Sequence, residues 1–151
     1  MATLYGEEYK VGMTFTTPAR TVTEGDTMLF AGMTGDNNPL HTDADFGSKT
    51  QFGGRIAHGM LVSSIAVGLF CRTQMMDGSA VAAINTSWTF KSPVLLGDTI
   101  HCEMEVGDVK RSKSKPDRCV VKMIYRVKNQ RGDLCQEGDM ATMLWWSNPN
   151  K

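Results

Sequence analysis

Residues 56–70, IAHGMLVSSIAVGLF, form the longest apolar run of the chain and decide which fold the remainder can adopt. Apolar side chains recur here with the 3.6-residue period of an α-helix, but they also occupy the opposite side of that helix. With fifteen residues between Arg55 and the Cys71-Arg72 pair, the run is too short to span a membrane and has the length of a core helix. A helix that is apolar all round is buried on all sides. We therefore predict a long, buried central helix.

Downstream of Gly78 the apolar pattern changes to a period of two, which is typical of β-strands. The strand candidates are residues 81–94, 98–106, 119–130 and 138–146. The turn sequences LLGD (95–98) and NQRGD (129–133) separate neighbouring candidates. Consecutive strands without helical crossovers pair antiparallel. The pattern thus predicts an α+β fold, in which an antiparallel β-sheet is wrapped around the long buried central helix.

The segment upstream of the apolar run is predicted to contain an extended stretch followed by a helix. Residues 10–22 alternate and are rich in Thr and Val, which favours an extended conformation. Thr23 and Asp26 have the spacing of an N-terminal capping pair, and Gly32 and Gly35 are expected to end the helix that follows. Its predicted apolar face consists of Met28, Leu29, Phe30 and Met33. Residues 41–54 are predicted to form a loop with one short helical turn.

Composition and charge limit the classes of partner. The 151 residues indicate one domain, spanning 1–151, with a hydrophobic fraction of 41% and a charged fraction of 21%. Sixteen basic and sixteen acidic residues cancel, so no global field attracts nucleic acid or an anionic membrane. The local exception is KRSKSK (110–115), which is compatible with a solvated hairpin loop or with a weak clamp for ligand phosphates.

The four cysteines indicate neither a disulfide scaffold nor a metal centre. None forms a C-x-x-C pair, and the N-terminal residues contain no apolar segment of a secretory leader, so we expect reduced thiols and a cytoplasmic location. His101 and Cys102 are the one adjacent pair of metal-ligand residues, but neighbours on a strand point to opposite faces. We therefore expect no bound metal.

The heptapeptide GDNNPLH (35–41) places Asp36 and His41 five positions apart. On an α-helix this offset would turn their side chains about 140° away from each other. Pro39 disfavours helical geometry at Asn38, which predicts a loop whose irregular path can bring the two side chains together. On spacing alone, the same residues are also compatible with a turn that exposes both side chains.

A second candidate site lies at residues 53–61, GGRIAHGML, where the apolar run begins. The N-terminus of a helix presents unpaired N–H groups and the positive end of the helix dipole. A glycine there, such as Gly59, lets a ligand oxygen approach the backbone closely. The segment is thus compatible with an oxyanion site for a carbonyl that gains negative charge, or with a glycine-rich entry into a core helix.

Taken together, residues 35–70 closely resemble the hydratase motif of MaoC-like dehydratases and R-specific enoyl-CoA hydratases. The family pattern, D-x-N-P-x-H followed about seventeen residues later by H-G-M, is matched by Asp36, Asn38, Pro39 and His41 and then by His58, Gly59 and Met60. The resemblance implies a hot-dog fold, in which an antiparallel sheet wraps a long helix. It also implies a homodimer or a higher homo-oligomer with active sites at or near the subunit interface.

The activity implied by the resemblance is reversible, (R)-specific hydration of trans-2-enoyl-CoA to (R)-3-hydroxyacyl-CoA. In the family's mechanism Asp36 would be the general base, and His41 would hold the same water and take part in proton delivery. The backbone N–H of Gly59 would stabilise the enolate oxygen, while Asn38 and Pro39 would support the loop. No cofactor is expected, because coenzyme A enters as part of the substrate. Some family members carry a further serine where this chain has Val67 and Gly68.

Other interpretations stay open at the level of the sequence. Hot-dog proteins also include acyl-CoA thioesterases, and a non-catalytic acyl-CoA-binding subunit is a further alternative. His58 is expected to bond nearby backbone, although a part in the oxyanion site is also compatible with its position. Ser63 and Ser64 are expected to pack, or else to orient Asp36. By charge alone, candidates for contacts with coenzyme A are Arg72, Lys91, Arg111 and Lys113.

Overall fold

The sheet of this protein is antiparallel throughout and follows the predicted strand sequence. The structure, a computed structural model, describes residues 2–150. Its elements in chain order are β1 (Thr14–Thr16), β2 (Arg20–Thr21), α1 (Glu24–Thr34), α2 (Pro39–Thr42), α3 (Ala44–Ser48), α4 (Gly59–Cys71), β3 (Ala80–Phe90), β4 (Thr99–Arg111), β5 (Arg118–Asn129) and β6 (Leu134–Trp145). The strand order is β1-β4-β5-β6-β3. Strand β2 also pairs with β4, at its first two residues, whereas β1 pairs with residues 103–105 of the same strand. The α+β class and the antiparallel sheet are therefore confirmed.

Helix α4 packs against the sheet, as predicted, but it is buried on one side only. Its buried residues are Leu61, Val62, Ser63, Ile65, Ala66, Leu69 and Phe70. Met60, Ser64, Gly68 and Cys71 are exposed, and their spacing places them along one stripe of the helix. The expectation of burial on all sides is thus wrong for the single chain, because one sheet covers only one side of a helix.

Strand β3 forms one edge of the sheet and is exposed along its length. It pairs with β6 on one side, with Phe90 opposite Gln136, and no described strand pairs with its other side. Ten of its eleven residues are exposed, and only Trp88 is half-buried. The large apolar side chains of Val81, Ile84 and Phe90 are among the exposed ones. An unpaired, apolar edge of this length is a surface on which another strand can add.

Helix α1 begins where the capping pair predicts and ends at Thr34, with Gly35 as its C-cap. The Thr23 side chain accepts from the Asp26 N–H, and the Asp26 carboxylate accepts from the Thr23 N–H in return. Gly35 ends the helix in the left-handed region with φ 78°, a conformation that glycine adopts without steric cost. Gly32 lies inside the helix, so its predicted role as a terminator is wrong. Glycine weakens a helix without stopping it.

The predicted apolar face of α1 is only partly used within the single chain. Met28, Leu29 and Met33 are 43%, 77% and 78% exposed, respectively. Phe30 alone of the four packs inward, and its ring lies 5.0 Å from that of His58. Helix α1 therefore contributes to the site through one aromatic contact and leaves the rest of its apolar surface open.

Candidate active site

His41 lies on a one-turn helix rather than on the predicted loop. Asn38 is the N-cap of α2 with ψ 130°, and its side-chain oxygen accepts from the Leu40 N–H at 3.0 Å. Pro39 occupies the first helical position. A backbone N–H there has no acceptor within the helix, so proline, which lacks this group, costs no hydrogen bond. The prediction that Pro39 excludes helical geometry at Asn38 is confirmed, but a loop extending to His41 is wrong. Proline disfavours helical geometry at the residue before it, yet it is itself well suited to the first position of a helix.

Asp36 is fixed through its backbone, which leaves its carboxylate largely free. The Asp36 carbonyl accepts a hydrogen bond from His58 Nε2 at 2.9 Å. A carboxylate oxygen lies 3.9 Å from the same nitrogen, and the side chain is 53% exposed. The other carboxylate oxygen accepts a long contact of 3.4 Å from the Asn38 N–H. The carboxylate thus retains lone pairs for a further donor.

The two imidazoles of the motif stack on each other, and each is oriented by one backbone carbonyl. The ring centroids of His41 and His58 are 3.8 Å apart. His41 Nδ1 lies 2.7 Å from the Ile56 carbonyl, so this nitrogen carries the proton and donates. The neutral His41 ring consequently has an unprotonated Nε2 that can accept. By the same argument His58 carries its proton on Nε2 and contributes no free donor to the substrate.

The side chains of Asp36, His41 and His58 converge. Each offers one ligand atom, and the three atoms lie within 4.8 Å of one another. One water molecule can donate to two acceptors at this separation, because two hydrogen bonds of about 2.8 Å span it. A group of this composition could also hold a metal ion through the second nitrogen of each imidazole, since the nitrogens bonded to backbone carbonyls would then only orient the rings.

Gly59 is the first residue of α4, so its N–H has no acceptor within the helix. A cavity of about 270 Å³ opens beside it. The cavity is lined by His41, Phe52, Ile56, Ala57, Gly59, Val62, Phe90, Lys91, Ser92, Pro93, Val94 and Gln136. A Cβ on Gly59 would lie 2.9 Å from the Phe90 ring, so only glycine fits against that ring without displacing it. His41 and Gly59 therefore line one cavity, and the Asp36 carboxylate lies near His41.

Gln136 is a member of the site that sequence reasoning missed. It lies on β6 with 3% exposure, and its side-chain amide donates to the Gly59 carbonyl at 2.8 Å. Ser63 on α4 is 2.8 Å from the Gln136 side-chain oxygen. The sequence contains no signal for this contact, because residue 136 lies outside the predicted strand that begins at residue 138. Neither Ser63 nor Ser64 orients Asp36: Ser63 bonds Gln136 and the Gly59 carbonyl, and Ser64 bonds the Met60 carbonyl of its own helix.

The four candidate contacts for coenzyme A lie in different places. Lys91 lines the cavity described above. Arg72 borders a separate depression that runs along the second half of α4. Arg111 and Lys113 lie at the β4–β5 turn, where the Arg111 guanidinium stacks on the Trp146 ring at 4.6 Å. Of these four residues, only Lys91 lines the same cavity as His41 and Gly59.

The remaining predictions concern the cysteines and the membrane. All four cysteines are free, and burial raises the pKa of the Cys102 thiol to about 12. His101 and Cys102 belong to no group of potential metal ligands among residues 2–150. Within the same residues, no helix has both the length and the apolar character that a bilayer crossing requires.

Comparisons with known proteins agree with this geometry. Residues 7–128 match the family model described as MaoC like domain. The (R)-specific enoyl-CoA hydratase of Rhodospirillum rubrum is 39% identical over 103 residues, which are 68% of this chain and 69% of that protein. The unliganded R-hydratase from Pseudomonas aeruginosa superimposes with a TM-score of 0.78 at 33% identity, covering 96% of this chain and 88% of that one.

The hot-dog architecture has separate structural support. A Mycobacterium tuberculosis protein with a double hot-dog fold superimposes with a TM-score of 0.85 at 21% identity, covering 99% of this chain and 46% of the longer one. This likeness concerns the fold alone. Together with the family match and the converging motif residues, it shows that the chain belongs to the MaoC-like dehydratase family of hydro-lyases and has the hot-dog fold.

Proposed function

We propose that this protein catalyses the reversible hydration of trans-2-enoyl-CoA to (R)-3-hydroxyacyl-CoA. The observation that carries the proposal is the convergence of the Asp36 carboxylate and the His41 ring within 4.8 Å, together with the cavity that His41 and Gly59 line. The relative from Rhodospirillum rubrum, which is named as an (R)-specific enoyl-CoA hydratase, supports both the reaction and its stereochemistry.

The chemistry requires three events, and the site offers a group for each. The β-carbon of an enoyl thioester is electrophilic when negative charge can develop on the carbonyl oxygen, and the Gly59 N–H with the dipole of α4 would stabilise that charge. Water donates to Asp36 and to His41 Nε2, with Asp36 as general base. The water oxygen bonds the β-carbon as Asp36 takes one of the water protons. With the participation of His41, that proton is then delivered to the α-carbon, which restores the Asp36 carboxylate. Water supplies both groups that are added, so no cofactor is needed.

The cavity walls suit an acyl thioester. Apolar side chains of Phe52, Ile56, Val62 and Phe90 surround the His41 and Gly59 groups. Lys91 and Ser92 place one cation and one hydroxyl at the same cavity, where the polar part of coenzyme A would enter. We propose Lys91 as the coenzyme A contact within the chain, because the other three candidate cations lie elsewhere.

We further propose that the protein acts as a homodimer paired along β3. The support is the unpaired edge of β3, with exposed Val81 and Ile84, together with the exposed stripe of α4 that includes Met60 and Ser64. Two copies related by a two-fold axis would pair their β3 strands antiparallel and continue the sheet. Such pairing would also cover part of the exposed surface around Asp36.

Two assays of the purified protein test the proposed reaction. With crotonyl-CoA we expect loss of the enoyl absorbance without release of free thiol, and a 3-hydroxy product of R configuration. With saturated acyl-CoA we expect no thiol release. Thiol release from either substrate would instead identify a thioesterase. Binding of acyl-CoA without any turnover would identify a non-catalytic acyl-CoA-binding subunit. Either result would overturn the proposal.

A further inference from the structure

A buried polar contact joins the last strand of the sheet to the first turn of α4. Gln136 on β6 and Ser63 on α4 are 3% and 2% exposed. The Gln136 amide nitrogen lies 2.8 Å from the Gly59 carbonyl, and its amide oxygen lies 2.8 Å from Ser63 Oγ. Gly59 and Ser63 are 77 and 73 positions away from Gln136 along the chain, so the contact is tertiary rather than local.

The hydrogen-bond pattern fixes the orientation of the Gln136 amide. A carbonyl can only accept, so the Gln136 group that faces the Gly59 carbonyl is the NH₂. The amide oxygen then faces Ser63 and requires a donor. The Ser63 hydroxyl has one proton, and it lies closer to this oxygen, at 2.8 Å, than to the Gly59 carbonyl, at 3.1 Å. The chain of donors therefore runs from Ser63 to Gln136 to Gly59.

Gly59 needs such support because it has no side chain of its own. Backbone freedom is greatest at glycine, and the preceding residue, His58, makes no side-chain cap to the helix. The carbonyl and the N–H of Gly59 flank the same Cα. Holding the carbonyl therefore limits rotation about that Cα, and with it the direction of the N–H. The ring of Phe90, which pairs with Gln136 across β3 and β6, packs against the same glycine.

We propose that Gln136 is a positioning residue for the reaction: with Ser63, it holds Gly59 so that its N–H points at the thioester oxygen that gains charge. The inference rests on the proposed function, and it assigns to a residue outside the sequence motif a part in aiming the oxyanion donor. An oxyanion donor contributes through its direction, since its effect depends on a distance of about 3 Å from the developing charge. Gln136 acts through Gly59 and does not take part in proton transfer.

The test compares variants that remove each bond. Gln136→Leu removes both bonds of the amide, and Ser63→Ala removes the donor to Gln136. Ser64→Ala is the matched control, because Ser64 makes the same type of bond to a helical carbonyl, that of Met60 at 2.8 Å, without contacting Gln136. We expect kcat for crotonyl-CoA to fall about 10–100-fold in Gln136→Leu, with a smaller loss in Ser63→Ala and none in Ser64→Ala. KM is expected to change little.

A spectroscopic measurement separates positioning from a merely structural role. Bound acetoacetyl-CoA ionises to an enolate that absorbs in the ultraviolet, and the enolate fraction reports how well the site stabilises negative charge on the thioester oxygen. We expect the enolate band to weaken in Gln136→Leu at saturating ligand, while the wild type and Ser64→Ala keep it. A structural role alone would lower the melting temperature and the number of active sites, yet leave kcat and the band per folded site unchanged.

The outcomes that overturn the inference are distinct from those that overturn the function. If the wild type is active and Gln136→Leu keeps a full enolate band and a kcat within twofold of the wild-type value, only the positioning role is contradicted. If Gln136→Leu does not fold, Ser63→Ala against Ser64→Ala decides by the same two readouts. Equal kcat and equal bands in that pair would also contradict it. An inactive wild type would overturn the proposed function and this inference together.

Discussion

His58 connects the two parts of the site that carry Asp36 and His41. It donates to the Asp36 carbonyl at 2.9 Å and stacks on the His41 ring at a centroid distance of 3.8 Å. Its 2% exposure leaves it little access to a substrate. The sequence-based expectation that His58 bonds backbone agrees with this geometry, and its part in the site is to hold others in place.

Replacing His58 by phenylalanine separates its two contacts. The variant His58→Phe keeps a ring that can stack on His41 but lacks the donor to the Asp36 carbonyl. Because the loop of Asp36 would then be less restrained, we expect kcat for crotonyl-CoA to fall about tenfold, at the low end of what misplacement of a catalytic group costs. Steady-state kinetics with circular dichroism as a fold control provide the check. A kcat within twofold of the wild-type value would show that this donor does not position Asp36.

Residues that act through a local motif could be predicted from the sequence, whereas residues that act through a tertiary contact could not. Asp36, His41 and Gly59 lie in one segment whose spacing matches a known pattern. In the structure His41 and Gly59 line one cavity, and Asp36 lies near His41. Gln136 approaches Gly59 only because β6 runs beside the start of α4. No periodicity in residues 134–145 encodes that contact, since it depends on how two distant elements pack.

At the level of elements, two turns at one end of the sheet are joined by Asp98. Its carboxylate accepts from Arg131 at 2.8 Å and from the Gln130 side chain at 2.7 Å, so it ties the turn before β4 to the turn between β5 and β6. Burial would raise the pKa of Asp98, but hydrogen bonds from Arg131, Gln130 and the Leu95 N–H outweigh it and lower the pKa below its usual value.

A lowered pKa means that Asp98 stabilises the fold when it is ionised. This stabilisation is complete above the unfolded-state pKa of about 4 and is lost as the pH falls through the folded-state pKa. We expect Asp98→Asn to reduce the free energy of unfolding at pH 7 by about 2 kcal/mol, the range for hydrogen bonds to charged groups. Urea unfolding from pH 7 down to pH 3 should show the gap between wild type and variant narrowing as the pH falls. A gap independent of pH would contradict this role.

Element positions were predictable to the extent that local patterns determine them. The capping pair Thr23 and Asp26 fixes the start of α1 by chemistry within four residues, and the structure confirms it. The one-turn helix α2 escaped prediction, because Pro39 signals both the end of a helix and the first position of one. The exposed stripe of α4 was not predicted either. An apolar pattern indicates that a helix is buried, but it does not show whether the same chain or a second copy buries it.

For the whole molecule, the apolar surfaces left open by one chain indicate where a second copy would pack. Ile84, near the middle of β3, is 51% exposed on an edge without a described partner strand. We expect Ile84→Lys to convert the proposed dimer to a monomer, because a charge at the centre of a paired edge opposes strand addition. Light scattering coupled to size-exclusion chromatography measures the mass, and crotonyl-CoA hydration should fall with it.

Val11→Lys is the matched control for the dimer. Val11 is 64% exposed but lies in the turn before β1, away from the β3 edge, so this variant should keep the dimer mass and the activity. Two results would contradict pairing along β3: a monomeric wild type, or a dimer of unchanged mass in Ile84→Lys.

The central claim, that Asp36 and His41 act on one water molecule, is tested most directly by the hydration rates of Asp36→Asn, His41→Ala and the double variant with crotonyl-CoA. Groups that act as a unit give non-additive losses, since removing either disables the other. Each single variant should lower kcat by about 10²–10⁴-fold, and the double variant should be no more than a few-fold slower than the slower single one. Losses that multiply in the folded double variant, or near-normal activity in either folded single variant, would contradict the account.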